Sequence, residues 1–398
     1  MEHAILPCSS AGIWGKPGGC TGWPMMAQAF PELEDSVDSL EGDASHEIAE
    51  GLVNDAKTGS PNPRNTAADW EGKTSAKGVV FTEEMFDGAK IYADDIKAVM
   101  LERQVFGGPA LRVEQRVEVP KVHAHNWGTP DCALYDEKKA TLYIWDYKFG
   151  RVVVEAFENW QAMNYAAGLF SELGIDGHLD QFTRVKIRIV QPRAYHREGV
   201  IREWSFVASD LRGHINSLKF NAEEAMGPNA KFRTGPHCQH CPGRHACPPA
   251  LKAGLSMFEA TGIPIPVELP PEAVGVQLAI IKRARKQLEF LESGFEEQVK
   301  GLLRAGKSVP GWCMSGAGVG KPKWSKPVGE VLMLGDMMSV DLRKPAEAVT
   351  PIQAGKLGID AAVITAYSTK PPTAAKLESD DGSRARQIFN TPIRENKR

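Results

Sequence analysis

Hydrophobic and polar positions along this chain recur with two periods. Met85, Ala89, Tyr92, Ile96 and Val99 return every three to four residues and predict a helix over 82–105; a shorter run predicts another over 44–53. From Leu111 to Val119 apolar and polar residues alternate, as on a half-buried strand, and further strand-like runs follow at 131–135 and 141–147. Residues 157–173 return to helical spacing, 185–191 read as a strand and 209–225 as a helix. Between the first two helices, residues 51–75 are polar, carry Pro61 and Pro63, and predict an exposed excursion. This order of elements predicts an α/β fold with a mixed central sheet flanked by helices.

A cysteine cluster at 238–247 precedes a proline-rich join with Pro264, Pro266, Pro270 and Pro271, too stiff to sit inside a regular element. The expected boundary lies there: a first domain over 1–262 and a smaller C-terminal helical and irregular region over 263–398. In the latter, Leu278, Ile281, Leu288, Leu291, Phe295 and Leu302 mark one long amphipathic helix. A weak helical signal follows at 351–368, and the composition of the last ~20 residues reads as disorder.

Composition narrows the function. With 47 Lys+Arg against 50 Asp+Glu the formal charge is -3, so a uniformly basic nucleic-acid coat is excluded and any polyanion site is local. No apolar run approaches the ~18 residues of a membrane span, and no basic-then-apolar leader opens the sequence, so a cytoplasmic protein without membrane contact is expected. Seven cysteines, an odd number, do not suggest a secreted disulfide framework.

The densest chemistry lies in TPDCALYDEKKATLYIWDYKFGR. Asp131 opens one strand, Asp146-Tyr147-Lys148 closes the next, and alternation places Asp146 and Lys148 on one face. Two carboxylates there suit Mg²⁺ or Mn²⁺, and a neighbouring lysine can orient or deprotonate water and stabilise charge on a phosphate. Taken singly, each motif reads better as a solvated strand end or turn. His46 on the first helix offers an imidazole, with Glu47 or Glu50 nearby. Gln161 and Tyr165 stand one helical turn apart, where an amide and a phenol can hold a nucleic-acid strand.

His, then Pro-Asp, then Asp-x-Lys, then Gln-x3-Tyr, in that order, resembles the RecB-like branch of the PD-(D/E)xK nuclease superfamily. The spellings GTPD, WDYKFGR, ENWQAMNYA and IVQPR are similar to a phage and prophage group within it. The resemblance implies a restriction-endonuclease-like core in which His46, Asp131 and Asp146 bind a divalent metal. It further implies that the Tyr147 carbonyl completes the metal shell, Lys148 assists the attacking water, and Gln161 with Tyr165 positions DNA. Glu114, Glu118 and Asp136 are available as substitute ligands. The activity so implied is a metal-dependent DNA exonuclease of phage recombination or replication, working in a bacterial host's cytoplasm. Its partners would be DNA and a single-strand-binding protein, an annealing protein or a polymerase. The alternatives are a non-catalytic single-strand-binding scaffold on the same fold and a structure-specific endonuclease.

HCQHCPGRHACPP places Cys238, Cys241 and Cys247 at Cys-x2-Cys-x5-Cys spacing, fit for one soft metal centre. Chain distance does not choose a fourth ligand among Cys8, Cys20, Cys132 and Cys313. By spacing, a structural zinc with His237, His240 or His245 is favoured. The resemblance implies instead a [4Fe-4S] cluster completed by an N-terminal cysteine, with Cys20 rather than Cys8 following the Trp-containing segment SSAGIWGKPGGC.

Other signals are weaker. GWCMSGAGVGKPKW is no phosphate-binding loop, because Ser315 replaces the first glycine and Pro322 follows the lysine. Lys321, Lys323, Trp324 and Lys326 interleave charge with an aromatic ring but read better as a solvated loop. Arg184, Lys186, Arg188 and Arg193 are candidate phosphate contacts or the wet face of a strand.

Overall fold

A computed structural model describes residues 4–31, 35–104, 110–260 and 270–312, with the single positions Met333 and Met337. The chain divides into two compact units, Met1–Met314 and Ser315–Arg398, and every element below belongs to the first. Cys313, Pro264, Pro266, the segment around Ser315 and Pro322, the Lys321–Lys326 cluster and the helical signal at 351–368 lie outside the described residues.

In chain order the elements are β1 (Leu6–Pro7), α1 (Ala11–Trp14), α2 (Trp23–Ala29), α3 (Val37–Thr58) and α4 (Glu83–Arg103). Then come β2 (Leu111–Val113), β3 (Val117–Glu118), β4 (Asn126–Gly128), β5 (Cys132–Asp136), β6 (Thr141–Tyr147) and α5 (Trp160–Glu172). The series closes with β7 (Arg184–Val190), β8 (Ile201–Val207), α6 (Leu211–Met226), α7 (Pro248–Ala260) and α8 (Pro271–Arg304). Five strands form a sheet in the order β2-β5-β6-β7-β8, and β1-β4-β3 form a smaller one. Only β6 and β7 pair in parallel within the large sheet, because α5 carries the chain across between them. The fold is therefore mixed α/β, with the central sheet between helical layers that the sequence leads one to expect.

Strand β6 is buried along its whole length, as a central strand covered on both faces must be. Leu142 and Ile144 point with Val185 and Ile187 toward Ala162, Ala166 and Leu169 of α5 and Leu211 and Leu218 of α6. Tyr143, Trp145 and Tyr147 point the other way, toward Ile48 and Leu52 of α3 and Phe86, Tyr92 and Ile96 of α4. Both of those helices start on a side-chain cap: Ser36 accepts the Ser39 N–H and Thr82 the Met85 N–H. None of the described helices is long and apolar enough to cross a membrane.

Four expectations need correction. The alternating run 111–119 is two strands in different sheets, broken at Glu114, whose φ is 46°. The alternation survives the break because Leu111 and Val113 enter one apolar cluster while Val117 and Val119 enter the other. The helix over 44–53 runs from Val37 to Thr58, so the excursion begins later, and Trp70 folds back against Gly51 while Arg64 grips Asp55 (3.0 Å). Strand β8 was not expected, because Arg202 is buried where its alternation calls for an apolar residue. Three of the four basic residues on and after β7 are held by acids, Lys186 by Glu203, Arg188 by Asp95 and Glu203, and Arg193 by Glu41 and Glu84, while Arg184 is exposed at the start of the strand.

Candidate active site

The C-terminal end of β6 meets the entry to β5, and α3 passes beside both. Asp131 precedes β5 and accepts the Tyr147 N–H at 2.6 Å, tying the two strand ends together. His46 sits on α3 with Nδ1 at 3.8 Å from the Asp131 carboxylate and its ring edge-on to Tyr147 (5.1 Å between centroids). The Tyr147 hydroxyl is locked 2.7 Å from Ser45 Oγ, which fixes the rotation of α3 and so the aim of His46. Ser45 carried no sequence signal; it is one of many serines, and only its burial under Tyr147 gives it a role.

Asp146 is almost fully buried. Its Oδ1 accepts both from Lys148 Nζ (2.8 Å) and from Gln161 Nε2 (3.1 Å), and the same Gln161 amide reaches the Tyr165 hydroxyl at 3.3 Å. The sequence-predicted residues His46, Asp131, Asp146, Tyr147, Lys148, Gln161 and Tyr165 thus gather in one place. Of the three substitute acids, Glu114 joins them. Ligand atoms of His46, Glu114 and Asp131 all lie within 4.8 Å of one another. Glu118 is instead turned toward Arg116, and Asp136 caps the turn after β5 by accepting the Lys138 and Lys139 N–H groups. Glu47 accepts the Ala76 N–H.

Charge crowding marks the site. Burial, then the carboxylates of Asp131 and Glu50, push Glu114 up to about 8. Burial likewise raises Asp146, with Asp131 adding to it while Lys148 opposes. Burial alone would lower Lys148, but Asp146 and Asp131 outweigh it and hold the amine as an ammonium. The second Asp146 oxygen, Oδ2, is buried with no hydrogen-bond partner among the described residues, a costly state for a carboxylate that a cation would relieve. The imidazole and two carboxylates of His46, Glu114 and Asp131 fit a hard divalent cation; Asp146, expected among the ligands, is not part of that 4.8 Å group.

A second cluster lies in the segments just before α2 and α7. Cys20, Cys238, Cys241 and Cys247 line one cavity of about 10 Å³ with Trp23, Phe232 and His237. Cys20 Sγ accepts the Arg233 N–H and Cys238 Sγ the Gly235 N–H, each at 3.4 Å. Gly22 permits the approach, since a Cβ there would meet the Phe232 ring at 2.5 Å. Cys8 is elsewhere, beside Asn126, and Cys132 is buried next to Asp131. His237 is bound to the Arg233 carbonyl at 2.8 Å, and His245 packs on Phe30. Burial raises Cys238 and Cys247 and pushes Cys241 up to about 11. Arg244, buried beside this cluster, bonds Cys241 O and then Phe290 O, Ser293 and Glu297 of α8.

Residues 3–337 match the profile of a family described as a protein of unknown function, DUF2800. None of the curated proteins matches the sequence. Among solved structures, a phage-related exonuclease from Haemophilus somnus 129PT aligns over 56% of this chain and 94% of that one, at 13% identity and a TM-score of 0.23. A likeness of that depth leaves the reading of function to the site's own geometry.

Proposed function

The chain belongs to the DUF2800 family, and we propose that it is a divalent-metal-dependent deoxyribonuclease of the PD-(D/E)xK type, acting as an exonuclease. One observation carries the reading: ligand atoms of His46, Glu114 and Asp131 lie within 4.8 Å of one another, while Asp146, within electrostatic reach of Asp131 and His46, keeps one orphaned oxygen and has the other held by Lys148 and Gln161. His46, Glu114, Asp131 and Asp146 would hold Mg²⁺ or Mn²⁺, with the Tyr147 carbonyl alongside. Such an ion supplies Lewis acidity toward a phosphate oxygen and lowers the pKa of water.

The chain's own residues do the rest. Lys148, kept protonated by its two acids, orients the attacking water and stabilises the charge that grows on the phosphate. Gln161 fixes Asp146 from the far side and, with Tyr165, positions the DNA strand. The phage setting, with recombination or replication as the process, rests on the sequence resemblance alone.

The same reading gives Cys20, Cys238, Cys241 and Cys247 a [4Fe-4S] cluster that staples the N-terminal segment to the end of the nuclease core. That the four thiols line one cavity supports a shared metal centre, and the choice of a cluster over zinc rests on the sequence resemblance. A broad visible absorption from anaerobically purified protein is expected, and a colourless protein containing zinc would refute the cluster.

The deciding experiment is a time course on end-labelled linear DNA with Mg²⁺ or Mn²⁺, run beside Asp146→Ala. Metal-dependent release of label that the variant lacks is expected. Equal cleavage by both proteins would sink the assignment, and cutting of closed circular DNA would make the enzyme an endonuclease.

A further inference from the structure

The segment joining β6 to α5 connects the two residues that grip Asp146 Oδ1, Lys148 on one side and Gln161 on the other. Its outer side chains hold it weakly: Val152 is 84% exposed, and Phe157, 63% exposed, lies edge-on to Trp204, while Ala156 anchors only its far end in the core. The hold comes from beneath, from two buried polar residues that the chemistry described so far does not use. Gln191, in the IVQPR spelling just past β7, is fully buried, and Arg202 on β8 is 1% exposed.

Gln191 spends all four of its hydrogen-bonding positions here. Its Nε2 donates to Gly150 O (2.8 Å) and Val152 O (2.7 Å), and its Oε1 accepts from Val154 N (3.0 Å) and Arg202 Nη2 (2.7 Å). Arg202 adds two bonds to Val154 O, from Nη2 at 2.7 Å and Nε at 3.2 Å, and one to Gly199 O. Among the described residues its acceptors are carbonyl and amide oxygens, not carboxylates. Glu155 and Glu198 act on it only from a distance; a guanidinium buried without a bonded carboxylate is expensive, and what it secures is the fixed course of residues 150–154.

That course is handed on to α5. Asn159 Nδ2 donates to Glu155 O at 3.0 Å while its Oδ1 caps the helix by accepting the Ala162 N–H at 3.0 Å. Gln161 lies in that first turn. We propose that Gln191 and Arg202 are positioning residues of the nuclease site: they fix residues 150–154 and, through Asn159, set Gln161 against the same Asp146 oxygen that Lys148 holds. The proposal rests on the nuclease reading above.

The test compares steady-state DNA cleavage by the full chain with Gln191→Leu, Arg202→Met, their double variant, Arg202→Lys and Asn159→Asp. In the clamp variants kcat should fall on the order of tenfold to a hundredfold, as a misplacement of about 1 Å can cause, with KM for DNA and Mn²⁺ affinity within about twofold. The double variant should cost no more than the worse single one, since the pair acts as a unit. Arg202→Lys should recover part of the loss. Asn159→Asp keeps the cap acceptor and puts a charged oxygen where the donor to Glu155 O stood, which suits a helix N-terminus, so kcat should fall while Tm holds; it decides the matter if a clamp variant does not fold. An active wild type with Asn159→Asp at full kcat, or folded clamp variants that lose Tm but keep kcat, would overturn the proposal alone. A wild type that cleaves nothing would overturn the nuclease reading first and the proposal with it.

Discussion

At Glu114 the backbone enters the left-handed region, rare for a side chain of that size, and the turn delivers a carboxylate to His46 and Asp131. Because burial and two neighbouring acids push Glu114 up to about 8, a cation binding there at lower pH displaces a proton. Mn²⁺ affinity is therefore expected to rise about tenfold per pH unit and level off above pH ~8, as read by titration calorimetry. Glu114→Gln should bind more weakly and lose that slope; an unchanged slope would place the proton elsewhere. His214 makes a separate prediction. Burial pulls it from 6.5 down to about 4 beside the Trp160 ring. Between those values the unfolded chain binds the proton and the folded one does not, so stability is full above the unfolded pKa and falls as pH drops toward the folded one. The loss should total roughly 3 kcal/mol. Urea unfolding should show it, and His214→Phe should lose that part of the pH dependence.

Among the elements, α5 matters most, since it presents Gln161 and Tyr165. It lies close to β3: a Cβ on Gly168 would meet Val117 Cγ1 at 2.5 Å and Glu118 O at 2.7 Å. Helix propensity favours alanine over glycine by about 1 kcal/mol, yet the contact with backbone should reverse the sign. Gly168→Ala is expected to lose about 1–3 kcal/mol by overpacking and to lower cleavage with it; a gain in Tm would show that the helix can shift freely. Helices α3 to α6 and α8 were legible by their helical period and β5 to β7 as short strand-like runs, whereas α1, α2 and α7 were not read from the sequence. Strand β8 was hidden by a buried arginine, and the β2–β3 break by two clusters that happened to keep one alternation. Asp131, Asp146 and Lys148 were weak signals singly and stood out only in their order with His46, Gln161 and Tyr165, whereas Glu114 could be named only as one acid among several. Nothing local announces that a strand will turn left-handed, and nothing announces that Gln191 will meet Gly150, Val152 and Arg202.

For the whole first unit, the cysteine cavity ties residue 20 to residues 238–247, across more than 200 positions. If a metal centre sits there, Cys20→Ser or chelation should lower Tm, because binding free energy becomes folding free energy. Thermal unfolding followed together with visible absorption would check it: loss of colour without loss of Tm would mean that the staple holds nothing. Long-range closure of this kind leaves little trace in sequence, since four thiols specify a meeting point only once the fold has brought them there.

Arg244 extends this closure to α8. Three of its four acceptors, Phe290 O, Ser293 and Glu297, belong to that helix. A protein shortened before Pro271 would leave a guanidinium under the cysteine loop with most of its oxygens gone. Trimming the chain to its apparent catalytic half would accordingly yield an aggregation-prone fragment, and the shortest soluble version should retain the helix through Arg304.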